Sequence, residues 1–321
     1  MKILITGCAG FIGYHLTNAL CKNNKYQVFG IDNLSKYYDI GLKKNRLKIL
    51  KKNTLFKFFN IDIKSEKKID IFFKKKKFNI VVHLAAQAGV RYSIYNPKTY
   101  IKNNINGFFN ILNSSMKISV KHFMFASTSS VYGDSHSFPT KELSSTDKPL
   151  SIYAATKKSN EVIAYSYSNI YKIPITGLRF FTVYGPFGRP DMFLFKYVNA
   201  IFKNKIISLF NNGNHVRDFT HVDDVVASIV RLVNKPPKNN IPFEIYNIGS
   251  DNPFKLKTFI SFIDKRLLKK PKIINIEMQK GDVYKTHADI KKLKDKIIFK
   301  PKQSLNKGIK NFIDWYTTYY K

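Results

Sequence analysis

Two side chains that could carry out proton chemistry lie four residues apart in this sequence, Tyr153 and Lys157. Residues at this spacing are neighbours on one face of a helix, so the lysine can lie beside the phenol. A phenol, with an unperturbed pKa near ~10, is a poor base at neutral pH, and an adjacent ammonium group lowers that pKa. Tyr153 is therefore predicted to be a general base and Lys157 the group that activates it.

A hydroxyl-rich stretch, Ser127-Thr128-Ser129-Ser130, precedes this pair. Thr128 is predicted to share a proton with the same substrate oxygen as Tyr153. A Tyr-x-x-x-Lys pair alone is usually an ordinary helix surface. Its position after this stretch and after the glycine-rich loop described next is what favours a catalytic role.

The first thirty-two residues contain the parts of a dinucleotide-binding site. An apolar run, Lys2–Thr6, leads into a turn that contains Gly7, Gly10 and Gly13, and a second apolar run ends at Asp32. The glycines let the backbone approach a pyrophosphate, and the helix after them offers its positive N-terminal end to that anion. Asp32 can accept hydrogen bonds from ribose hydroxyls and opposes a 2′-phosphate, so the predicted cofactor is NAD rather than NADP.

The alternation of apolar runs and amphipathic stretches predicts an α/β fold, a doubly wound parallel sheet of the Rossmann type. Strands are expected at Lys2–Thr6, Gln27–Ile31, Thr54–Asn60, Asn79–Leu84, His122–Ser127 and Ile175–Phe180. A helix from about Ile152 to Ile170 is expected to carry the tyrosine and the lysine. After Thr182 the pattern loosens, and substrate recognition is expected there, because ligands of such sheets bind beyond the carboxyl ends of the strands.

The composition of the 321 residues, 44% of them hydrophobic, is sufficient for a full core. Because no run of about eighteen uncharged apolar residues occurs, no membrane span or membrane partner is expected. The first residues already belong to a predicted strand, which leaves no room for a signal peptide. Cys8 and Cys21 are expected to be reduced thiols, and the histidines lack metal-site spacing, so a cytoplasmic protein without a metal is predicted.

The formal charge of +34 would ordinarily indicate a polyanionic partner. Only seven of the 55 basic residues are arginines, and four of these lie in the motifs Ala-Gly-Val-Arg-Tyr-Ser, Gly-Arg-Pro-Asp, Arg-Phe-Phe-Thr and Arg-Asp-Phe-Thr. This distribution favours a compositional drift toward lysine at replaceable surface positions, with arginine kept where a bidentate group matters. No nucleic-acid partner is therefore predicted, and attraction of an anionic substrate remains the alternative role for the charge.

The chain resembles the extended short-chain dehydrogenase/reductases, and within them the NAD-dependent epimerase/dehydratase family. The resemblance extends from Met1 to about Tyr320. The segments that carry it are Thr6–Gly13, Asp32–Leu34, His83–Arg91, Tyr153 with Lys157, Leu178–Pro186 and Arg217–Asp224. The greatest similarity is to the UDP-glucuronate 4-epimerases, through the segments Asp32–Asp39, Ala88–Ser93 and Gly188–Met192.

This resemblance implies reversible inversion at C4 of a UDP-hexuronate, from UDP-glucuronate to UDP-galacturonate, by transient oxidation to a 4-keto sugar with bound NAD. It also implies two domains. Residues 1–182 would bind NAD and carry the catalytic residues, and residues 183–321 would mainly bind the UDP-sugar, partly interleaved with the first domain. Members of the family often form homodimers through two helices that flank the sheet.

The resemblance assigns further residues to the two ligands. Those expected to bind NAD are Gly7, Gly10, Phe11, Ile12, Gly13, Asp32, Asn33, Asp62, Ala85, Ala86, Tyr153 and Lys157. Those expected to bind the UDP-sugar are Arg91, Thr128, Ser129, Ser130, Thr182, Arg189, Arg217 and Asp282. Among the latter, Arg189 and the hydroxyls would hold the sugar carboxylate, and Arg217 would face the diphosphate.

Several other activities remain open at this point. Epimerases of UDP-hexoses or UDP-N-acetylhexosamines resemble this chain but usually have Asn in the place of Thr182. UDP-glucuronate decarboxylases and nucleotide-sugar 4,6-dehydratases carry an acid where this chain has Ser130. A non-catalytic NAD-sensing protein would typically have lost the tyrosine or the lysine, and both are present.

Overall fold

The computed structural model describes residues 1–278 and 281–320 and contains strands and helices in alternation along most of the chain. The strands are β1 (Lys2–Thr6), β2 (Gln27–Ile31), β3 (Phe56–Phe59), β4 (Ile80–His83), β5 (His122–Thr128), β6 (Ile175–Phe180), β7 (Thr182–Tyr184), β8 (Ile206–Phe210), β9 (Val216–His221), β10 (Phe243–Ile248), β11 (Pro253–Lys255) and β12 (Lys272–Ile276). The helices are α1 (Phe11–Cys21), α2 (Ile40–Leu50), α3 (Glu66–Lys76), α4 (Val90–Tyr95), α5 (Pro97–Tyr100), α6 (Phe108–Lys117), α7 (Ile152–Tyr171), α8 (Phe193–Phe202), α9 (Val222–Leu232), α10 (Leu256–Leu267), α11 (Lys291–Ile297) and α12 (Leu305–Tyr320).

A seven-stranded parallel sheet in the order β10-β6-β5-β4-β1-β2-β3 forms the centre of the fold. Apolar residues of α1, α9 and α11 cover one face, and those of α3, α6 and α7 cover the other. This is the predicted doubly wound Rossmann fold. The strand order reverses between β1 and β4, and ligands of such sheets bind at the carboxyl ends of the strands beside that point.

The observed strand bounds agree with the prediction for β1, β2 and β6 and differ slightly elsewhere. β3 and β4 are shorter than predicted, and β5 continues to Thr128, which pairs with Phe180 of β6. β3 starts late because the side chain of Asn53 accepts a hydrogen bond from the backbone N–H of Leu55 and forms a turn there. The seventh strand, β10, was not predicted, since its first half is only partly buried and includes Glu244.

The later part of the chain builds two small sheets, β11-β9-β7 and β12-β8. Helices α8, α10 and α12 pack around these strands with a separate apolar cluster that includes Tyr197, Phe259 and Phe312. β7 follows β6 directly along the chain. Residues after β7 are therefore held close to the carboxyl end of the large sheet.

A buried ion pair fixes α7 against this sheet. Nε and Nη2 of Arg179 on β6 donate to the two carboxylate oxygens of Glu161 on α7, at 2.9 and 2.8 Å. Ser127 of β5 donates to the same carboxylate at 2.6 Å, and Nη1 of Arg179 donates to the hydroxyl of Tyr132 at 2.9 Å. The side chains of the pair are only 4% and 3% exposed. This network sets the register of the helix that carries Tyr153.

Glu161→Gln should lower the free energy of unfolding by about 3–5 kcal/mol, because it leaves the Arg179 charge buried without its counter-charge. Urea denaturation measures the change. The control is Asp314→Asn, which breaks a 2.7 Å ion pair with Lys310 at the surface, where Asp314 is 48% exposed. That variant should change the free energy by less than about 1 kcal/mol. Equal effects of the two substitutions would contradict this role of the buried pair.

Candidate active site

A cavity of about 720 Å³ opens at the carboxyl ends of the central strands. The sequence-predicted residues that line it are Gly7, Gly10, Phe11, Ile12, Gly13, Asp32, Asn33, Ala85, Ala86, Thr128, Ser129, Ser130, Tyr153, Lys157, Thr182 and Arg189. The predicted residues outside this lining are Asp62, Arg91, Arg217 and Asp282. The cavity therefore joins the glycine loop to the hydroxyl-rich stretch and the tyrosine.

The glycine loop leaves no space for side chains at two of its positions. A Cβ added at Gly13 would lie 2.1 Å from the carbonyl oxygen of Gly7, and one added at Gly7 would lie 2.8 Å from the backbone nitrogen of Ala85. Gly7 also has a φ of +72°, which favours glycine. Helix α1 starts just after Gly10, and no side chain caps its first N–H groups. This arrangement fits the pyrophosphate of a dinucleotide.

Asp32 ends β2 beside this loop. One carboxylate oxygen accepts from the backbone N–H of Ala9 at 3.1 Å, and the other accepts from that of Leu34 at 2.8 Å. Burial raises the pKa of Asp32, whereas these hydrogen bonds and the charge of Lys43 act to lower it. Each oxygen retains a second lone pair that can accept from a ribose hydroxyl.

Asp62 lies at the rim of the same region. Its carboxylate accepts from the side chain of Asn33 at 3.0 Å and from the backbone N–H of Lys64 at 2.9 Å. Its neighbours Ile61 and Ile63 line the cavity. Asp62 thus caps a loop and orients Asn33.

Tyr153 and Thr128 meet inside the cavity. Burial raises the pKa of Tyr153, whereas a hydrogen bond with Thr128 and the positive charge of Arg189 lower it. Lys157 is only 3% exposed, and its ammonium donates to the carbonyl oxygen of Ala126 on β5 at 2.9 Å. Burial lowers the pKa of Lys157 to about 8. Arg189, which the sequence assigned to substrate alone, is thus a cation whose charge opposes the rise in the pKa of Tyr153.

Arg189 forms a bidentate ion pair with Asp191. Nε and Nη2 each donate to one carboxylate oxygen at 3.0 Å. The hydroxyl of Tyr37 donates to the same carboxylate at 3.2 Å. The sequence analysis missed both partners, although Asp191 follows Arg189 at a spacing of two in Gly-Arg-Pro-Asp, which was a usable signal.

Arg91, Arg217 and Asp282 form a second cluster, next to the cavity. Nη2 of Arg217 donates to Asp282 at 2.9 Å, and the Arg91 guanidinium lies 3.9 Å from the ring centroid of Phe210. His215, which the sequence analysis missed, is buried with Nε2 4.0 Å from Asp282, and burial together with Arg217 and Arg91 lowers its pKa. These residues concentrate positive charge where an anionic group can bind.

Two further basic residues connect these regions. Lys196 on α8 lies within electrostatic reach of both Arg91 and Asp191, whose charges act on its pKa in opposite directions. Lys43 on α2 lines the cavity near Asp32, and its ammonium donates to the carbonyl oxygen of Ser35 at 2.7 Å. Neither has a local sequence signal that separates it from the many surface lysines.

The fully buried Arg46 on α2 ties two loops together. Nη1 donates to the carbonyl oxygen of Ala9 and to the hydroxyl of Tyr38, both at 2.8 Å. Nη2 donates to the carbonyl oxygen of Phe187 at 2.6 Å. Ala9 lies in the glycine loop, and Phe187 lies two residues before Arg189. Arg46 therefore links the cofactor loop to the loop that carries the cation beside Tyr153.

Residues 3–249 match the NAD dependent epimerase/dehydratase family. The chain is 46% identical to the protein CapI of Staphylococcus aureus, with all of both chains covered. It is 41% identical to a probable UDP-glucuronate 4-epimerase of Rhizobium meliloti, with 100% and 98% covered. Its structure is similar to UDP-glucuronic acid 4-epimerase from Bacillus cereus, solved with UDP-glucuronic acid and NAD. The TM-score is 0.92 at 34% identity, with 99% of each chain covered.

The protein belongs to the NAD-dependent epimerase/dehydratase family. This confirms the resemblance inferred from the motifs and confirms NAD as the cofactor. Within residues 1–278 and 281–320, no group of three or more histidine, cysteine, aspartate or glutamate side chains is placed to hold a metal ion. No helix in these ranges is long and apolar enough to cross a membrane.

Burial of Lys157 should make the folded protein less stable at neutral pH than a variant with an apolar side chain. The unfolded chain keeps this proton up to a pKa of 10.5, whereas the folded protein releases it near a pKa of about 8. Between these values the unfolded state binds more protons, so stability rises with pH, and the full penalty applies below about pH 8. Lys157→Met should raise the free energy of unfolding at pH 7 by on the order of 2 kcal/mol, net of the lost hydrogen bond.

Urea denaturation at several pH values measures this effect. The advantage of the methionine variant should shrink as the pH rises from about 8 toward 10.5. Lys158→Met, which removes a partly exposed lysine from the same helix, is the control and should not gain stability at pH 7. A pH-independent advantage of Lys157→Met would contradict a buried charge at this position.

Proposed function

We propose that this protein inverts C4 of UDP-glucuronate to form UDP-galacturonate, reversibly, with bound NAD. The observation that carries the proposal is the convergence of Tyr153, Thr128 and Arg189 in one cavity with the glycine loop. The Bacillus cereus enzyme of similar structure binds both UDP-glucuronic acid and NAD, which supports the same pair of ligands here.

In this proposal Tyr153 removes the proton from the O4 hydroxyl of the sugar. Thr128, its hydrogen-bonding neighbour, orients that hydroxyl and shares the proton. Lys157 is held by the Ala126 carbonyl at the floor of the site, where it can bind the ribose of the cofactor. NAD, when bound, would supply the acceptor for the hydride of C4 and the donor for its return to the other face. Tyr153 then gives the proton back to O4.

Decarboxylation of the sugar must be prevented during the reaction, because a 4-keto uronate is a β-keto acid that can lose CO₂. Arg189 and the hydroxyls of Thr128, Ser129, Ser130 and Thr182 all line the cavity and can hold a carboxylate out of alignment with the ketone. Ser130 stands where decarboxylases and dehydratases of this fold carry an acid. These features favour retention of the carboxylate.

The nucleotide end of the substrate is proposed to bind at the second cluster. Arg91 and Arg217 supply positive charge for a diphosphate, and Asp282 orients Arg217 through a 2.9 Å hydrogen bond. Residues 183–321 would then form most of the substrate-binding domain, and residues 1–182 would form the NAD-binding domain. β10 lies within residues 183–321 but pairs with β6, so it would be the part of the substrate-binding domain that extends the sheet of the NAD-binding domain.

We also propose a homodimer formed through α6 and α7. These helices carry exposed apolar side chains at Phe109, Val162 and Tyr165, which are 39%, 57% and 47% exposed. Such side chains would become buried if α6 and α7 packed against the same helices of a second copy. We further propose a cytoplasmic location, which the unpaired buried thiols of Cys8 and Cys21 support. No nucleic-acid partner is proposed.

Purified protein loaded with NAD should convert UDP-glucuronate into UDP-galacturonate, separated by chromatography. Tyr153→Phe should keep both ligands bound and lose turnover by several orders of magnitude, because it removes the proton acceptor and little else. The matched control is Tyr171→Phe, which alters an exposed tyrosine at the end of the same helix. Conversion at the wild-type rate by Tyr153→Phe would refute the mechanism, and UDP-xylose as the main product would refute the reaction.

Arg189→Ala should weaken binding of UDP-glucuronate far more than that of UDP-glucose. Loss of one charge-assisted partner of a desolvated anion typically costs ~2–5 kcal/mol. Calorimetry with both nucleotide sugars gives the ratio, and C6-labelled substrate gives the share released as CO₂, which should rise. Arg266→Ala, a surface arginine 3.6 Å from Asp314, is the control for loss of charge. Equal weakening of both sugars with no additional CO₂ would favour a neutral hexose as the substrate.

A further inference from the structure

Asp191, the acid that pairs with Arg189, lies outside the set of residues that line the cavity and can touch a ligand. Arg189 and Tyr37 both line the cavity, whereas Asp191 is not part of that lining. Asp191 accepts from Nε and Nη2 of Arg189 and from the hydroxyl of Tyr37. The Asp191 carboxylate therefore connects two residues of the cavity lining, the Arg189 guanidinium and the Tyr37 phenol, without lining the cavity itself.

Tyr37 is itself held in place. Its ring packs against Tyr92, with centroids 4.9 Å apart. A Cβ at Gly89 would lie 2.6 Å from the Tyr37 hydroxyl, so the absence of a side chain there lets that hydroxyl reach its position. Gly89 has a φ of +101°, which also favours glycine. The hydroxyl that meets Asp191 is thus fixed by neighbours other than Arg189.

The bidentate pair leaves one edge of the guanidinium available. Nη1 of Arg189 donates to no other described residue, while Nε and Nη2 are both committed to Asp191. A planar guanidinium with two of its nitrogens fixed has a fixed third nitrogen as well. Its charge acts on Tyr153, so the group lies within electrostatic reach of the reacting end of the cavity.

We propose that Asp191 and Tyr37 are positioning residues that fix the free Nη1 edge of Arg189 toward the carboxylate of the sugar. The inference rests on the proposed function, because it assigns that carboxylate as the partner of Arg189. A lysine or a mobile arginine would supply the charge without a fixed direction. The direction matters because the carboxylate must stay out of line with the ketone. Asp191 thereby affects both the affinity for UDP-glucuronate and the retention of its carboxyl group, without touching the substrate.

The experiment uses NAD-loaded protein with Asp191→Asn, which keeps the size of the side chain and replaces one charged acceptor by a donor. The dissociation constant of UDP-glucuronate should rise about tenfold or more, as expected when hydrogen bonds to a charged group are lost. That of UDP-glucose should stay within about twofold, and the labelled CO₂ released per turnover should increase. Tyr37→Phe should produce the same pattern at smaller size, about two- to tenfold.

Asp70→Asn is the matched control, because Asp70 also accepts from a hydroxyl and a cation and has almost the same exposure, 23% against 24%. It should leave both dissociation constants and CO₂ release unchanged. A double-mutant cycle separates positioning from general damage. In an Arg189→Ala background, Asp191→Asn should cause no further loss, because its effect passes through Arg189.

Three results would overturn the positioning role. They are wild-type affinity for UDP-glucuronate in Asp191→Asn, equal weakening of both sugars, and tighter binding of UDP-glucuronate, which would mean that Asp191 merely attenuates the charge. If Asp191→Asn fails to fold, the affinities of Tyr37→Phe for the two sugars are judged by the same criteria and decide whether the positioning role holds. Failure of the wild-type protein to epimerise UDP-glucuronate would instead overturn the proposed function.

Discussion

The two halves of the site depend on one buried guanidinium, that of Arg46. Its partners among the described residues are uncharged oxygens, those of Ala9, Phe187 and Tyr38. A buried cation is costly when its donors lack partners, and Nε of Arg46 already lacks one, so displacing either loop would leave still more of that charge without a partner. The glycine loop and the loop with Arg189 therefore cannot move independently. The backbone of the glycine loop and the position of the loop that carries Arg189 are linked by the same contact.

The charges around the cavity follow the chemistry of the proposed substrate. UDP-glucuronate is anionic at the diphosphate and at the carboxylate. Arg189 lies at the catalytic end, and Arg91 with Arg217 lies at the second cluster, while Lys196 stands within electrostatic reach of Arg91 and of Asp191. Cations arranged along a cleft attract such a ligand and also orient it. Under the proposed function, a neutral hexose would use only the second cluster, and the Arg189 loop would discriminate between the two kinds of sugar.

The sequence predicts features that depend on short-range spacing. The glycine loop, β1, β2 and the Tyr153–Lys157 pair each lie within one element or one βα unit, and their physical causes act over a few residues. Contacts between distant segments carry no such signal. Tyr37 meets Asp191 across 154 residues, and Arg46 meets Phe187 across 141. The edge strand β10 was missed for a related reason, since only half of it is buried and it lacks a continuous apolar run. The contacts that hold Arg189 therefore could not be predicted from the sequence.

The hydrogen-bond partners of the arginines give a physical reason for the positions at which this scarce residue occurs. Four of the seven arginines use two or more nitrogens at once, on oxygens whose spacing matches a planar fork: Arg46, Arg179, Arg189 and Arg217. A lysine ammonium is a point charge on a flexible stem and cannot reproduce these geometries. A lysine would therefore suffice wherever a single charge at the surface is needed, but it would not replace the arginine at these four positions. The few arginines therefore mark positions where direction matters as much as charge.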